Sequence, residues 1–449
     1  MTDRTLVLHP VIRQKNPPKM DKYPLGVDIP LPPLAPERDP MVTLEEAKGL
    51  AAAIELDVID AQLVNVSKIN PSRLIGKGAV EELQSHIKIL EIDLVVVDHA
   101  LTPIQQRNLE KDWKVKVIDR TGLILEIFGA RARTREGMLQ VELAALSYQR
   151  SRLVRSWTHL ERQRGGFGFT GGPGETQIEI DRRLIDERMV KLKKELEQVK
   201  KTRVIQRRSR ERIPYPVVAF VGYTNAGKST LFNKITGAEV LAKDMLFATL
   251  DPTMRAVALP SGRKVILSDT VGFISDLPTD LVAAFRATLE EVILADVILH
   301  VQDVSQENAA AEKHDVERIL NDLDINVQED PRMIEVWNKI DLFTEEERAF
   351  HHNQAKRKEN TYPVSAITYE GVDDLLQAVD DYLNRAQVDL EINLHVADGK
   401  QLSWLYHHGQ VKERHDEDEM IRLTVGLDPE VRDKYFKLFP TPQEEVEVS

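Results

Sequence analysis

The segment that most constrains this chain is residues 222–229, which read Gly-Tyr-Thr-Asn-Ala-Gly-Lys-Ser. They fit G-x-x-x-x-G-K-[ST] and lie between the apolar run 216–221 and the helix-like run 230–234. A glycine-rich turn between a strand and a helix directs backbone amides at phosphate oxygens, where the helix N-terminus favours anions. The pattern therefore predicts a parallel α/β sheet carrying a nucleoside-triphosphate site.

Such a site also needs groups that bind the phosphates and the magnesium ion. Lys228 would reach the β- and γ-phosphates, and the Ser229 hydroxyl would ligate Mg²⁺. Asp269-Thr270-Val271-Gly272 follows the strand-like run 264–268, so Asp269 suits magnesium binding at a strand end. The Gly272 amide could then bond the γ-phosphate and make its loop sensitive to that phosphate.

The identity of the nucleotide base is predicted from the residues that follow two further strand-like runs. Asn338-Lys339-Ile340-Asp341 follows the apolar run 333–337, and Ser365-Ala366-Ile367 follows 362–364. The Asp341 carboxylate offers two acceptors to the two donors of guanine, whereas adenine presents the opposite pattern and is rejected. Four such fragments in order, each closing a strand, indicate a domain that binds GTP and GDP.

The loop between residues 237 and 251 has no strong periodicity, and such a loop can close over magnesium when the γ-phosphate is bound. Thr249 is the predicted metal ligand in it, with Thr253 as the alternative. The predicted catalytic residues are Lys228, Thr249 and Gly272, and the predicted magnesium ligands are Ser229, Thr249 and Asp269. The predicted GTP contacts are Gly222, Tyr223, Thr224, Asn225, Ala226, Gly227, Lys228, Ser229, Phe247, Ala248, Thr249, Leu250, Asp251, Asp269, Thr270, Val271, Gly272, Asn338, Lys339, Ile340, Asp341, Ser365, Ala366 and Ile367.

Phe273 stands where many GTPases place a glutamine that orients the attacking water. Because phenylalanine cannot orient water by hydrogen bonding, hydrolysis must use a partner's residue, another domain of this chain or a bound monovalent cation. The Asn225 position resembles that of GTPases in which an asparagine helps to hold K⁺. Potassium activation is therefore a hypothesis beside the Mg²⁺ requirement.

The length of 449 residues predicts about three domains. Cysteine is absent, which excludes disulfides and thiolate metal sites. Neither a signal peptide nor an apolar run of membrane-spanning length is evident, so a cytoplasmic monomer without membrane contact is expected. The predicted division is a proline-rich, loosely ordered extension (1–40), an N-terminal α/β domain (41–130), a basic helical arm with a glycine-rich loop (131–212), a GTPase domain (213–386) and a small C-terminal α/β domain (387–449).

The arm is basic although the chain has a formal net charge of −13. Clustered lysine and arginine suit a nucleic acid, and aromatic rings in a glycine loop can stack on unpaired bases. A solvated helical hairpin whose basic residues pair internally is the alternative. Leu184, Val190, Leu192, Leu196 and Val199 form a heptad-like series in it. The RNA-contact candidates are Arg164, Phe167, Phe169, Thr170, Arg182 and Arg183.

From about residue 44 to residue 383 the chain resembles the HflX family of GTPases. The resemblance is carried by the glycine loop 165–174 running into Glu-Thr-Gln, by the segments 222–229 and 247–253, and by 269–273. It implies a protein that binds the large ribosomal subunit through ribosomal RNA near the peptidyl-transferase centre. It further implies GTP hydrolysis there and separation of stalled or idle ribosomes into subunits, notably under heat stress.

Two other functions remain open from the residues alone. One is a GTP-regulated factor that binds or remodels structured RNA away from the ribosome. The other is a scaffold with a structural nucleotide, against which Lys228, Ser229 and Asp269 argue, because a structural site need not keep the hydrolytic magnesium set.

Overall fold

The computed structural model describes residues 3–12, 36, 38–161, 177–210, 215–237, 247, 253–275, 289, 291–327, 329–385, 387–417, 419–439 and 446–448. Within these ranges the chain forms three sheets with their associated helices. The mixed α/β class with a central P-loop GTPase domain is confirmed. No helix in the described ranges is long and apolar enough to cross a membrane.

The N-terminal unit is a parallel four-stranded sheet in the order β2-β1-β3-β4. Its strands are β1 (Arg4–Ile12), β2 (Asp57–Val66), β3 (Leu94–Val97) and β4 (Lys116–Asp119). Its helices are α1 (Pro40–Ala52), α2 (Lys77–Ile89), α3 (Pro103–Trp113) and α4 (Arg120–Arg131). Helix α3 begins at Pro103, where Thr102 and Gln105 form a capping box. All four residues of β3 are buried, as an inner parallel strand requires.

Strand β1 corrects the prediction for the first 40 residues. Residues 4–12 are not a loose extension but an inner strand that pairs with both β2 and β3. Leu6, Val7 and Leu8 are buried. The sequence prediction gave too much weight to the prolines from Pro17 onward and overlooked this short apolar run.

The basic arm is an antiparallel pair of helices, α5 (Arg135–Glu161) and α6 (Gln177–Arg210). Arg188 contacts Glu142 at 2.7 Å and Arg150 contacts Asp186 at 2.6 Å, which fixes the opposite directions of the two helices. Leu192 is fully buried. The heptad-like series is wrong in part, because Leu184 and Val190 are 55% and 54% exposed.

The central unit is a six-stranded sheet in the order β10-β9-β8-β5-β7-β6, in which only β6 runs antiparallel. Its strands are β5 (Val217–Val221), β6 (Thr253–Ala258), β7 (Lys264–Asp269), β8 (Val297–Asp303), β9 (Met333–Asn338) and β10 (Thr361–Pro363). Its helices are α7 (Lys228–Thr236), α8 (Ala309–Asn321), α9 (Glu345–Ala355) and α10 (Val372–Asn384). Parallel strands bring their carboxyl ends to one edge, where the predicted motifs lie.

The C-terminal unit is an antiparallel sheet in the order β12-β13-β11-β14. Its elements are β11 (Val388–His395), α11 (Gly399–His408), β12 (Gln410–Glu417), β13 (Met420–Leu427), α12 (Pro429–Leu438) and β14 (Val446–Val448). This is the β-α-β-β-α-β arrangement of ferredoxin-like units. Residues 446–448 pair with β11 as an edge strand of this sheet.

The N-terminal and central units share one apolar core. A continuous cluster of buried side chains joins Leu50 and Phe128 of the first to Phe273 and Val292 of the second. Because this core crosses residues 130 and 212, the domain boundaries there stay predictions. The shared core also places the carboxyl edge of the N-terminal sheet against the nucleotide site.

Candidate guanine-nucleotide site

The P-loop connects β5 to α7 in a conformation that requires its glycines. Gly222 (φ +150°) and Gly227 (φ +91°) have positive φ angles. A Cβ at Gly222 would collide with the Val301 carbonyl oxygen, and one at Gly227 would collide with the Asn338 amide. The loop therefore packs tightly between β8 and the end of β9.

Lys228, the first residue of α7, is buried inside the loop that it closes. Its Nζ donates to the carbonyl oxygens of Gly222 at 3.1 Å and Tyr223 at 2.7 Å. Burial lowers the pKa of Lys228 to about 8, while nearby Asp269 and Glu312 oppose that shift. Because an ammonium group has three donors, Lys228 is positioned to give another to a phosphate oxygen.

Ser229 and Asp269, two of the predicted magnesium ligands, are in contact. The Ser229 hydroxyl donates to Asp269 Oδ2 at 2.6 Å, and Asp269 is fully buried at the end of β7. Mg²⁺ prefers such hard oxygen ligands and usually completes its shell with water and phosphate oxygens. The pair fits that ion. Among the described residues no group of three or more His, Cys, Asp or Glu side chains could hold a metal alone.

The loop before β6 lies largely outside the described residues. Ala248, Thr249, Leu250 and Asp251, predicted to contact nucleotide or metal, are among those outside. Thr253, the alternative metal ligand, pairs across the sheet with Asp269.

Phe247 is described, and its predicted GTP contact needs correction for the side chain. Its ring is buried against Phe128, 4.7 Å away, and its carbonyl accepts from Arg131 Nη1 at 3.1 Å. Phe247 therefore fastens this loop to the N-terminal unit.

The segment of residues 270–275 lies against the P-loop. The Thr224 amide donates to the Phe273 carbonyl at 2.7 Å, and the Phe273 amide donates to the Gly222 carbonyl at 3.0 Å. The Thr270 hydroxyl donates to the Phe220 carbonyl at 2.5 Å. The Phe273 side chain is buried in the shared core, so it has no hydrogen-bonding role in hydrolysis.

In the predicted base-reading motif, residues 338–341, some side chains contact the protein and another has an acceptor available to a ligand. Asn338 joins two loops: its Nδ2 donates to the Ala226 carbonyl at 2.8 Å, and its Oδ1 accepts from the Ala366 amide at 3.0 Å. Ile340 is fully buried and belongs to the core. Asp341 Oδ1 is buried without a hydrogen-bond partner among the described residues, as an acceptor reserved for a ligand would be.

The sequence analysis missed Asp303 at the end of β8. Its Oδ2 lies 2.7 Å from Lys339 Nζ, and its Oδ1 accepts from the Ser305 hydroxyl at 2.6 Å. Asp303 therefore holds the lysine that flanks the base-reading carboxylate. The signal that identified Asp269, a carboxylate closing an apolar strand, is also present here.

A cavity of about 360 Å³ lies between α1 and the P-loop. Tyr223, Thr224 and Asn225 line it on one side, and Glu46 and Glu312 face them. Burial raises the pKa of Glu312 to about 7, and the charges of Glu46 and Asp303 add to the shift.

The RNA-contact candidates are only partly placed. Arg164, Phe167, Phe169 and Thr170 lie outside the described residues. Arg182 and Arg183 are exposed on α6, and Arg183 lies 3.8 Å from Glu187. Several arm arginines are paired internally, as the alternative interpretation of the arm expects.

Comparisons with known proteins cover most of the chain. Residues 217–339 match the family model of a 50S ribosome-binding GTPase. Residues 42–129 and 131–210 match the N-terminal and middle regions of a GTP-binding GTPase, and 351–434 match the HflX C-terminal domain. These matches include every described residue of the predicted nucleotide site up to Lys339.

Curated relatives are similar over nearly their full length. GTPase HflX of Magnetococcus marinus is 54% identical over 86% of this chain and 88% of its own. GTPase HflX of Escherichia coli is 42% identical over 86% of this chain and 90% of its own. A solved GTP-binding protein of Sulfolobus solfataricus in complex with GDP is 22% identical, covering 85% of this chain and 99% of its own, with a TM-score of 0.43.

Proposed function

Since the chain belongs to the HflX family of GTPases, we propose that it binds the large ribosomal subunit and separates stalled or idle ribosomes under stress. The observation that carries the proposal is the match of residues 217–339 to a 50S ribosome-binding GTPase. The chain hydrolyses GTP, as its family and its GTPase domain indicate. We place its action in the cytoplasm, where the ribosomes are.

The residues divide the work as follows. Lys228 binds the β- and γ-phosphates, and the Gly272 amide binds the γ-phosphate once it comes within reach. Ser229 and Asp269 hold Mg²⁺, with Thr249 as the proposed third protein ligand. The ion, when bound, neutralises charge that develops on the phosphate oxygens. Asp341 selects guanine, and Asp303 steadies the neighbouring Lys339.

Ribosome contact supplies what Phe273 lacks. The buried Phe273 ring cannot orient water, and no other side chain on the 270–275 segment replaces a glutamine at that position. The exposed basic residues Arg182, Arg183, Lys191 and Lys194 on α6 provide a surface for ribosomal RNA.

A monovalent cation is a second contributor to hydrolysis. Asn225 has a left-handed backbone (φ +60°) and lines the cavity beside the P-loop, where a K⁺ ion could reach the phosphates. We expect hydrolysis to be faster in K⁺ than in Na⁺ and Asn225→Ala to remove the difference. Equal rates of the unaltered chain in both salts would exclude this role.

The test combines hydrolysis and subunit separation. The GTPase rate is measured in Mg²⁺ and K⁺ buffer with and without purified large subunits, and 70S dissociation is followed by light scattering. We expect strong acceleration by large subunits and GTP-dependent dissociation, both abolished by Lys228→Ala. Lys234→Ala, an exposed change on the same helix, is the matched control and should behave as the unaltered chain. Acceleration by free structured RNA but not by large subunits would overturn the proposal.

A further inference from the structure

A buried polar cluster lies where the carboxyl edge of the N-terminal sheet meets the 270–275 segment. We call it the Arg120 cluster; its members are Arg120, Asp98, Glu46, Tyr223 and Ser275. They come from five separate parts of the chain, and each except Glu46 is less than a tenth exposed. The predicted phosphate-binding and base-reading roles do not explain why these five polar side chains lie together.

The Arg120 guanidinium holds the main chain of Ser275. Its Nε and Nη2 both donate to the Ser275 carbonyl at 3.3 Å, and Nη2 also donates to Ser275 Oγ at 2.8 Å. Asp98 accepts from Nη1 of the same guanidinium, and Glu46 accepts from Nη2 at 2.6 Å. Two carboxylates thus neutralise the buried charge, and the planar fork leaves the arginine little freedom.

Tyr223 fastens the same segment from the P-loop side. Its hydroxyl accepts from the Ser275 amide at 3.0 Å and donates to Glu46 Oε2 at 2.7 Å. With the Thr224-to-Phe273 hydrogen bond, residues 273–275 are held by the P-loop and by the N-terminal unit at once.

These contacts keep Gly272 close to Thr224 and Lys228 of the P-loop. A Cβ at Gly272 would lie 2.9 Å from Thr224 Cα and 3.1 Å from Lys228 Nζ. A γ-phosphate that contacts both Lys228 and the Gly272 amide must lie between them, so Gly272 has to withdraw to admit it. A diphosphate has no group at that position and requires no withdrawal.

We infer that Arg120 is a specificity-determining residue for the bound nucleotide, favouring GDP over GTP by holding Ser275 and therefore Gly272 against the P-loop. The contacts of Arg120 are stronger when Gly272 lies against the P-loop than when Gly272 has withdrawn to admit a γ-phosphate. By linkage, the γ-phosphate weakens the hold of the N-terminal unit on the 270–275 segment to the same extent.

The experiment measures the dissociation constants of the full-length chain, with Mg²⁺, for GDP and for a non-hydrolysable GTP analogue. Arg120→Gln should tighten binding of the analogue at least fivefold and leave that of GDP within twofold. Arg73→Gln is the matched control, because Arg73 pairs with Asp112 within the N-terminal unit. It should change neither constant.

A purely structural role of Arg120 predicts a different result. Both dissociation constants would then change by the same factor, or neither would change, and either outcome overturns the inference. Should Arg120→Gln fail to fold, Ser275→Ala decides, since it removes one acceptor of Arg120 and keeps every charge. Ser275→Ala should lower the dissociation constant of the analogue about twofold relative to that of GDP. An unchanged ratio of the two constants would reject the assignment.

Discussion

At the scale of single residues, the loops of the nucleotide site are held in place by contacts with one another. Asn338 ties the P-loop to the 365–367 loop, and Asp303 ties down Lys339. Such contacts fix the positions of ligand-binding groups before binding, which lowers the entropy lost when the ligand arrives. Asp341 Oδ1 differs from these groups, because no described residue gives it a hydrogen bond.

Asp341→Asn should weaken guanine recognition, because it replaces one acceptor by a donor that faces the donors of guanine. A hydrogen bond to a charged group contributes about 1.5–3 kcal/mol, which is roughly 10- to 150-fold in affinity. Titration of the variant with GDP and xanthosine diphosphate measures the change. Unaltered preference for GDP would remove Asp341 from base recognition.

Glu312 predicts a pH dependence of stability. Its pKa is raised from 4.5 to about 7 in the folded chain. Between pH 4.5 and 7 the unfolded chain therefore binds fewer protons at this residue than the folded chain does, so stability falls as pH rises. The loss is complete above about pH 7 and is on the order of 3 kcal/mol.

Thermal unfolding at pH 5 and pH 8 measures this effect. Glu312→Gln should raise the unfolding midpoint relative to the unaltered chain at pH 8 and by less at pH 5. The exposed Glu346→Gln on α9 is the control. Identical shifts of the Glu312 variant at both pH values contradict the assignment.

At the scale of elements, the arm is a hairpin whose stability depends on few buried side chains. Leu192 is fully buried, whereas Leu184 on the same helix is 55% exposed. The ion pairs between α5 and α6 lie at the surface. Such pairs contribute only about 0–1 kcal/mol each, so the apolar contacts decide whether the hairpin holds.

Leu192→Ala should therefore loosen the arm, with a cost of about 2–5 kcal/mol from lost burial and the cavity left behind. Leu184→Ala is the matched control and should cost less than about 0.5 kcal/mol. Hydrogen exchange of α5 and α6 amides reports both changes. Equal exchange in the two variants would mean that Leu192 does not pack the hairpin.

At the scale of the whole molecule, the turn between β6 and β7 links the nucleotide site to the C-terminal unit. Arg263 Nη2 donates to both carboxylate oxygens of Asp428, at 2.9 and 2.7 Å, and Nη1 donates to the Leu383 carbonyl at 2.9 Å. The Ser261 amide donates to the buried Asp380 at 2.7 Å. The strands on either side of this turn carry Thr253 and Asp269.

Arg263→Gln should free the C-terminal unit from this turn, because a neutral amide cannot replace a bidentate pair that is nine-tenths buried on the arginine side. We expect faster proteolytic cleavage between α10 and β11. Lys412→Gln, which breaks an ion pair inside the C-terminal unit, should leave the cleavage rate unchanged. Equal cleavage of the two variants would contradict the link.

The sequence predicted the features that depend on neighbouring residues. It did not predict those that depend on contacts between residues far apart in the chain. The P-loop and the strand-end motifs follow from adjacent residues, and the structure bears out their strand and helix context. Strand β1 was missed because its partners β2 and β3 lie some 50 and 90 residues away. The Arg120 cluster has no sequence signal, since its members come from residues 46, 98, 120, 223 and 275.

The inner position of β1 has a consequence for synthesis. Its apolar residues leave the ribosome before β3 exists, and roughly 80 residues separate the two strands. At about 5–20 residues per second, that interval lasts about 4–16 s. During it the nascent chain carries an incompletely paired apolar strand, a surface on which chaperones act and from which aggregation starts.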